Sequence, residues 1–347
     1  RGDVDATIEK LTLYLEQRPD VHFASFSRAQ AFASVGEWQR AISDLEKLRA
    51  SNPTALGFRP RVLLADAYNR VGRSDMAFQE LESVYKNHPE ATNVIRRLIS
   101  LYVAHDRYTD ADNVLTTLLN SNPDQIAWLR RSGEIALLQN DPTKAIANQK
   151  RAVILGEFHP ILTVTLLETF AKVDAPDQGI AFFEEQIPPG RRTPAVLLAY
   201  ADLLGQSGDL RAAINTFRTA LHKSGFDSFE FLERVARSVD AKLGTERAIE
   251  LFREPVDEVL AKSNTHILSA LLQGSGQIDE ALELCESLLE SAGSAQEKSS
   301  IYLRMAVAYE SKDELGKAQE TYKQVLEQDE NNLFALNNLA YLLSDKL

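Results

Sequence analysis

The chain has 347 residues, 44% hydrophobic and 25% charged, a composition that excludes disorder over most of its length. Its 38 basic and 50 acidic residues give a formal charge of −12, which disfavours phosphate backbones, so nucleic acid is not an expected partner. No run approaches the length of a membrane span, and one cysteine, Cys285, excludes an intrachain disulfide or a cysteine-built metal site while leaving the compartment open.

In chain order, residues 3–19 read as a lone second helix closed by Pro19. Helix pairs then start near residues 22, 58, 92, 126, 160, 194, 229, 262 and 299, and residues 333–347 read as a first helix without its partner. With no polar capping helix at either end, the chain is expected to be part of a longer protein, or to pack its open ends against something. The pairing rests on one small residue per unit: Ala41, Ala77, Ala111, Ala145, Gly179, Ala213, Ala248, Ala281 and Ala318. Their spacings are 36, 34, 34, 34, 34, 35, 33 and 37, a period near 34. A large side chain at that point would hold two crossing helices apart, so the small residue is a packing requirement.

Other positions keep the same frame. Five residues before the anchor stand Gly36, Gly72, Asp106, Asn140, Asp174, Gly208, Gly276 and Asp313; in the remaining unit the glycine comes one place later, at Gly244. Gly, Asn and Asp tolerate the left-handed backbone that ends one helix sharply before the next. Pro53, Pro89 and Pro123 follow the anchor by twelve residues and stop the second helix. Apolar residues at three- and four-residue steps, as in Ile42, Leu45 and Leu48, give each helix one buried stripe. Irregularity concentrates later, at Gly179, at Pro188-Pro189-Gly190 and at Pro255.

The chain resembles the tetratricopeptide-repeat family. The unit Phe58 to Pro89 supplies Ala65, Tyr68, Ala77 and Pro89 at the family's small, aromatic, small and proline positions, with Val84 at the fourth small site. The resemblance implies an all-α fold over 1–347, a right-handed superhelical α-solenoid of antiparallel helix pairs. It also implies a scaffold that binds a protein or peptide in its concave groove.

No catalytic motif, cofactor motif or metal-ligand spacing stands out, so no enzyme activity and no cofactor are expected. The six histidines, including His105 and His266, lie far apart, and a lone helix-end histidine reads as structural or solvated. Cys285 falls on an apolar stripe and reads as buried and inert. Trp38 and Trp128 read as packing residues, with ligand contact as the alternative.

In the family, groove positions lie on each first helix. Carried onto this chain they give Arg59, Asp66, Asn69 and Arg70 in one unit, Asn93, Arg96 and Arg97 in the next, and Arg130, Arg131 and Glu134 in the third. Six arginines against two acids suit a carboxylate-rich peptide or surface, because guanidinium makes paired, charge-assisted hydrogen bonds. The competing reading has these arginines solvated or paired within the scaffold, as Arg130 and Glu134 can be at a four-residue step. The asparagine that some members use at groove position 9 to grip a C-terminal carboxylate is missing, that position being held by Gln30, Asp66, Ser100 and later residues. The later groove mixes Arg234, Arg237 and Asp240 with apolar Val164, Leu198 and Ile267. The closing Asn331 to Leu343 is similar to end-repeats of long bacterial arrays. The expected setting is therefore an adaptor in a bacterial envelope or exopolysaccharide-export assembly, in the periplasm, envelope or cytoplasm. The recognition arm of an enzyme such as a glycosyltransferase, and self-association through open ends, are the alternatives.

Overall fold

The computed structural model describes residues 2–51, 57–226 and 228–346; the helix stop expected at Pro53 lies outside them. The described residues form twenty α-helices and no strand. No helix among them is long and apolar enough to cross a membrane. The chain divides into two compact units, Arg1–Asp141 and Pro142–Leu347.

The first unit contains α1 (Gly2–Gln17), α2 (His22–Ser34), α3 (Trp38–Ser51), α4 (Phe58–Arg70), α5 (Ser74–Asn87), α6 (Thr92–Ala104), α7 (Tyr108–Ser121) and α8 (Ile126–Leu138). The second contains α9 (Pro142–Leu155), α10 (Pro160–Lys172), α11 (Pro176–Gln186), α12 (Pro194–Ser207), α13 (Leu210–Ser224) and α14 (Phe229–Leu243). It continues with α15 (Thr245–Phe252), α16 (Glu258–Gly274), α17 (Ile278–Glu290), α18 (Ala295–Ser311), α19 (Leu315–Gln328) and α20 (Leu333–Tyr341). Within each unit, helices adjacent in sequence pack on one another, and in the second unit α14 also meets α16 and α18.

The anchors do what their size allows. Ala41, Ala77, Ala111, Ala145, Ala213, Ala248 and Ala318 are fully buried, and Ala281 very nearly so. At Gly179 on α11 even a methyl group has no room. A Cβ there would sit 2.7 Å from Leu203 Cδ1 and 2.9 Å from Phe170 Cβ, because these large side chains of α12 and α10 fill the space an alanine takes elsewhere.

The turn residues also follow their chemistry. Asp106, Asn140, Asp174 and Asp313 have φ between 54° and 60°, and Gly36, Gly72, Gly208 and Gly276 between 78° and 92°. Gly244 differs: with a ψ of 144° it is the one residue between α14 and α15, where most pairs have three. Prolines shape the second unit. They open α9 to α12 as first-turn residues, where a missing N–H goes unnoticed. Pro188 ends α11 at 11 residues, and α15 stops after 8, just before Pro255.

Successive pairs are tied by one recurring contact. Tyr68 on α4 donates to Glu46 on α3 at 2.7 Å, Tyr102 on α6 to Glu82 on α5 at 2.6 Å, and Tyr200 on α12 to Glu184 on α11 at 2.8 Å. Burial together with the neighbouring carboxylate pushes the Tyr68 phenol up to about 12, so it stays a donor at any physiological pH.

The second unit also holds a buried charged cluster. Arg304 on α18 is 2% exposed and donates at 2.9 Å to both the His266 carbonyl and Ser269 Oγ on α16, with Glu233 of α14 at 3.3 Å. Glu297, at the start of α18, accepts from the Gly293 amide at 2.8 Å and pairs with Lys262 Nζ at 2.5 Å. Its other neighbour, His266 Nε2, lies 3.5 Å away. A phenylalanine from the turn after α13, Phe226, stacks on the His266 ring at 5.0 Å.

Candidate functional site

The arginine set divides into two groups in the first unit. Asn69 and Arg70 lie in the last turn of α4, Asp66 one turn earlier, and Arg96 and Arg97 in the second turn of α6. α4 and α6 face each other here, and Arg97 pairs directly with Asp66 across the gap. His105, at the end of α6, lies 3.3 Å from Asn69 Oδ1.

Two adjoining cavities share this ion pair as a wall. One, of about 340 Å³, has a floor of Ala65, Leu81 and Leu101, with Arg96 and Ser100 at its edge. The other, of about 610 Å³, is bounded by Asp66, Asn69, Arg97, Arg70 and Trp38. The half-buried Trp38 indole lies 5.7 Å from the Arg70 guanidinium, in cation–π contact. Trp38 opens α3, in the preceding helix pair, so three successive units contribute to this site.

The remaining candidates lie elsewhere. Arg59 and Asn93 are exposed in the first turns of α4 and α6 and line neither cavity. Arg130 and Arg131 on α8 both turn to Glu134, at 3.6 and 2.8 Å. Three of the six arginines are thus engaged by acids of the scaffold, Arg130 and Arg131 sharing the single carboxylate of Glu134. Arg96 has no ion pair or hydrogen bond among the described residues, and Arg70 engages only the indole face. The cationic character of the site therefore rests on Arg70 and Arg96.

Two sequence segments carry the comparison with known families. Family models described as tetratricopeptide repeat match residues 96–160 and residues 299–332. The chain is a tetratricopeptide-repeat protein. No curated protein matches it by sequence. Among solved structures it is similar to a tetratricopeptide repeat protein from Parabacteroides merdae, with 14% identity over 93% of this chain and 98% of that one and a TM-score of 0.37. It is also similar to MamA (17% identity, 45% of this chain and 90% of that one, TM-score 0.39). A third likeness is to Naa15/Naa10 bound to HypK (13% identity, 96% and 63%, TM-score 0.43). Tetratricopeptide repeats are in general protein–protein interaction modules.

A second cleft of this tetratricopeptide-repeat protein lies among the first helices of the second unit. It measures about 330 Å³, with Val164, Leu198 and Ala199 as apolar lining. Arg234 and Arg237 of α14 stand opposite Glu168 and Asp202. Burial raises the Asp202 carboxyl above its ordinary value, although Ser238 donates a hydrogen bond to it. Opposed charges on its two walls make it less selective for net charge than the cleft of the first unit.

Sequence reasoning placed Arg70, Arg96 and Arg97 on one face. The apolar floor was not legible there, and Trp38 carried ligand contact only as the alternative to packing, because the family frame assigns groove roles to first helices and Trp38 begins a second helix. Cys285 is buried, and burial pushes its thiol up, away from the reactive range. Among the described residues no three His, Cys, Asp or Glu side chains converge as a metal site.

Proposed function

We propose that this tetratricopeptide-repeat protein is a non-catalytic binding scaffold whose first unit recognises an acidic peptide or acidic protein surface between α4 and α6. The observation that carries the reading is the pair of exposed guanidiniums, Arg70 and Arg96, left without an acidic partner beside two adjoining cavities. On a chain of net charge −12 such a patch is a local exception, and it attracts an anionic ligand that the rest of the surface repels. An adaptor role in a bacterial envelope or exopolysaccharide-export assembly belongs to the same proposal. It is tested in the flanking gene sequence, where a signal peptide or lipid-attachment cysteine supports it and a downstream catalytic domain counts against it.

The direct test is fluorescence anisotropy of short labelled peptides rich in aspartate and glutamate, read against the unaltered chain and an Arg70→Glu/Arg96→Glu double variant. Binding that weakens with added salt and disappears in the variant is expected. Equal binding by both proteins would sink the reading. Reversing Arg130 and Arg131 is expected to matter much less, since Glu134 already engages both.

A further inference from the structure

We infer that the cleft between α4 and α6 selects one apolar side chain flanked by carboxylates on both sides, within an internal stretch of the partner rather than at its chain end. The inference rests on the acidic-ligand reading above and adds the element that net charge does not supply.

The two cavities differ in chemistry although they share a wall. The smaller is floored by Ala65, Leu81 and Leu101, and these side chains offer a docked acidic group nothing. Filling such a floor with a carboxylate would strip its water without a compensating hydrogen bond, whereas an aliphatic or aromatic side chain gains by leaving water. At about 340 Å³ the space takes a side chain of leucine or phenylalanine size. The small member of that floor, Ala65, comes from the repeat itself, as a conformity to the unit pattern rather than an exception.

Cations stand beyond the floor in two directions. Arg96 borders the small cavity directly, whereas Arg70 lies across the shared wall, beside Trp38 in the larger one. The wall is the Arg97 and Asp66 pair, already internally neutral, so it presents neither an open cation nor a naked acid. A ligand that fills the floor and meets both free guanidiniums has acids before and after its apolar residue. A chain terminus has residues on one side only, and the asparagine used elsewhere to hold a terminal carboxylate is absent, Asp66 standing in its place.

The test uses the full chain and four labelled peptides of Asp and Glu, three blocked at both ends and the fourth blocked only at its N-terminus. One has a central leucine, one a central alanine, one a central leucine with acids on one side only, and one a leucine at a free C-terminus. The blocked, centrally placed leucine peptide is expected to bind best. Replacing leucine by alanine is expected to weaken binding roughly tenfold or more, the scale of a buried aliphatic side chain. Ser100→Leu, at an exposed position on the cleft edge, narrows the floor and is expected to bring the leucine and alanine peptides to equal affinity; its thermal unfolding verifies that the fold is kept. Salt-sensitive binding that is indifferent to leucine overturns this inference and leaves the acidic-ligand reading standing. Preference for the free C-terminal leucine overturns the internal-segment assignment. Failure of all four peptides removes both.

Discussion

At the residue scale, a missing methyl group decides the fit of one helix pair. Alanine is ordinarily worth about 1 kcal/mol more than glycine inside a helix. At Gly179 that preference loses to sterics, since Leu203 and Phe170 would lie 2.7 and 2.9 Å from the added carbon and overpacking costs about 1–3 kcal/mol. Gly179→Ala is expected to lower stability by roughly 1–2 kcal/mol in urea unfolding, and an increase would contradict the packing account. The opposite logic holds at Asp313, whose φ of 60° strains any L-residue. Asp313→Gly is expected to raise the unfolding free energy by less than about 1 kcal/mol, and Asp313→Val to lower it, because a β-branched side chain resists that region.

At the element scale, α14, α16 and α18 are held by charge as well as by apolar packing. Arg304 is almost fully buried and bonds to both neighbouring helices, so truncating it leaves Glu233 and the α16 carbonyl without their donor. Arg304→Ala is expected to cost about 1–3 kcal/mol by the same measurement, the cost of leaving buried polar groups without a partner, since Glu233 itself stays one-third exposed. The same cluster makes this region acid-sensitive. Burial lowers the His266 pKa below its ordinary 6.5, with Arg304 and Lys262 acting in the same direction and Glu297 opposing them. As pH falls through 6.5 the unfolded chain therefore takes up a proton that the folded chain does not, and stability drops. Burial alone would raise the Glu297 carboxyl, but His266, Lys262 and the Gly293 amide outweigh it and bring it to about 2. Its contribution is full above 4.5 and is lost as pH falls from there toward 2. His266→Gln is expected to flatten the stability curve just below pH 6.5 while leaving the loss below 4.5, as read from unfolding midpoints across that range.

At the scale of the whole molecule, stability is a chain of local interfaces. The largest apolar cluster runs from Val153 to Ala281 in the second unit, whereas α20 buries only Ala335 and leaves Leu333, Phe334 and Leu336 exposed. Amide hydrogen exchange is therefore expected to be slowest in α12 and α13 and fastest in α20, with graded protection between. Uniform protection along the chain would argue for a cooperativity that nearest-neighbour packing does not provide.

The period, the anchors and the turn chemistry were legible in the amino-acid sequence because each is local. An alanine at a helix crossing, or an aspartate in a left-handed turn, obeys constraints set by residues a few positions away. The same locality put Arg70, Arg96 and Arg97 on facing first helices. Three matters were decided only by the tertiary structure. Arg97 is paired with Asp66, and Arg130 and Arg131 share Glu134, because side chains choose partners from whatever acids lie within reach. Trp38 joins the site from the preceding helix pair. The cluster around Arg304 joins residues from three helices, with Glu233 71 positions from its partner. Repetition makes a helix pair predictable, but the contacts between pairs depend on individual side chains that the repeat leaves free to vary.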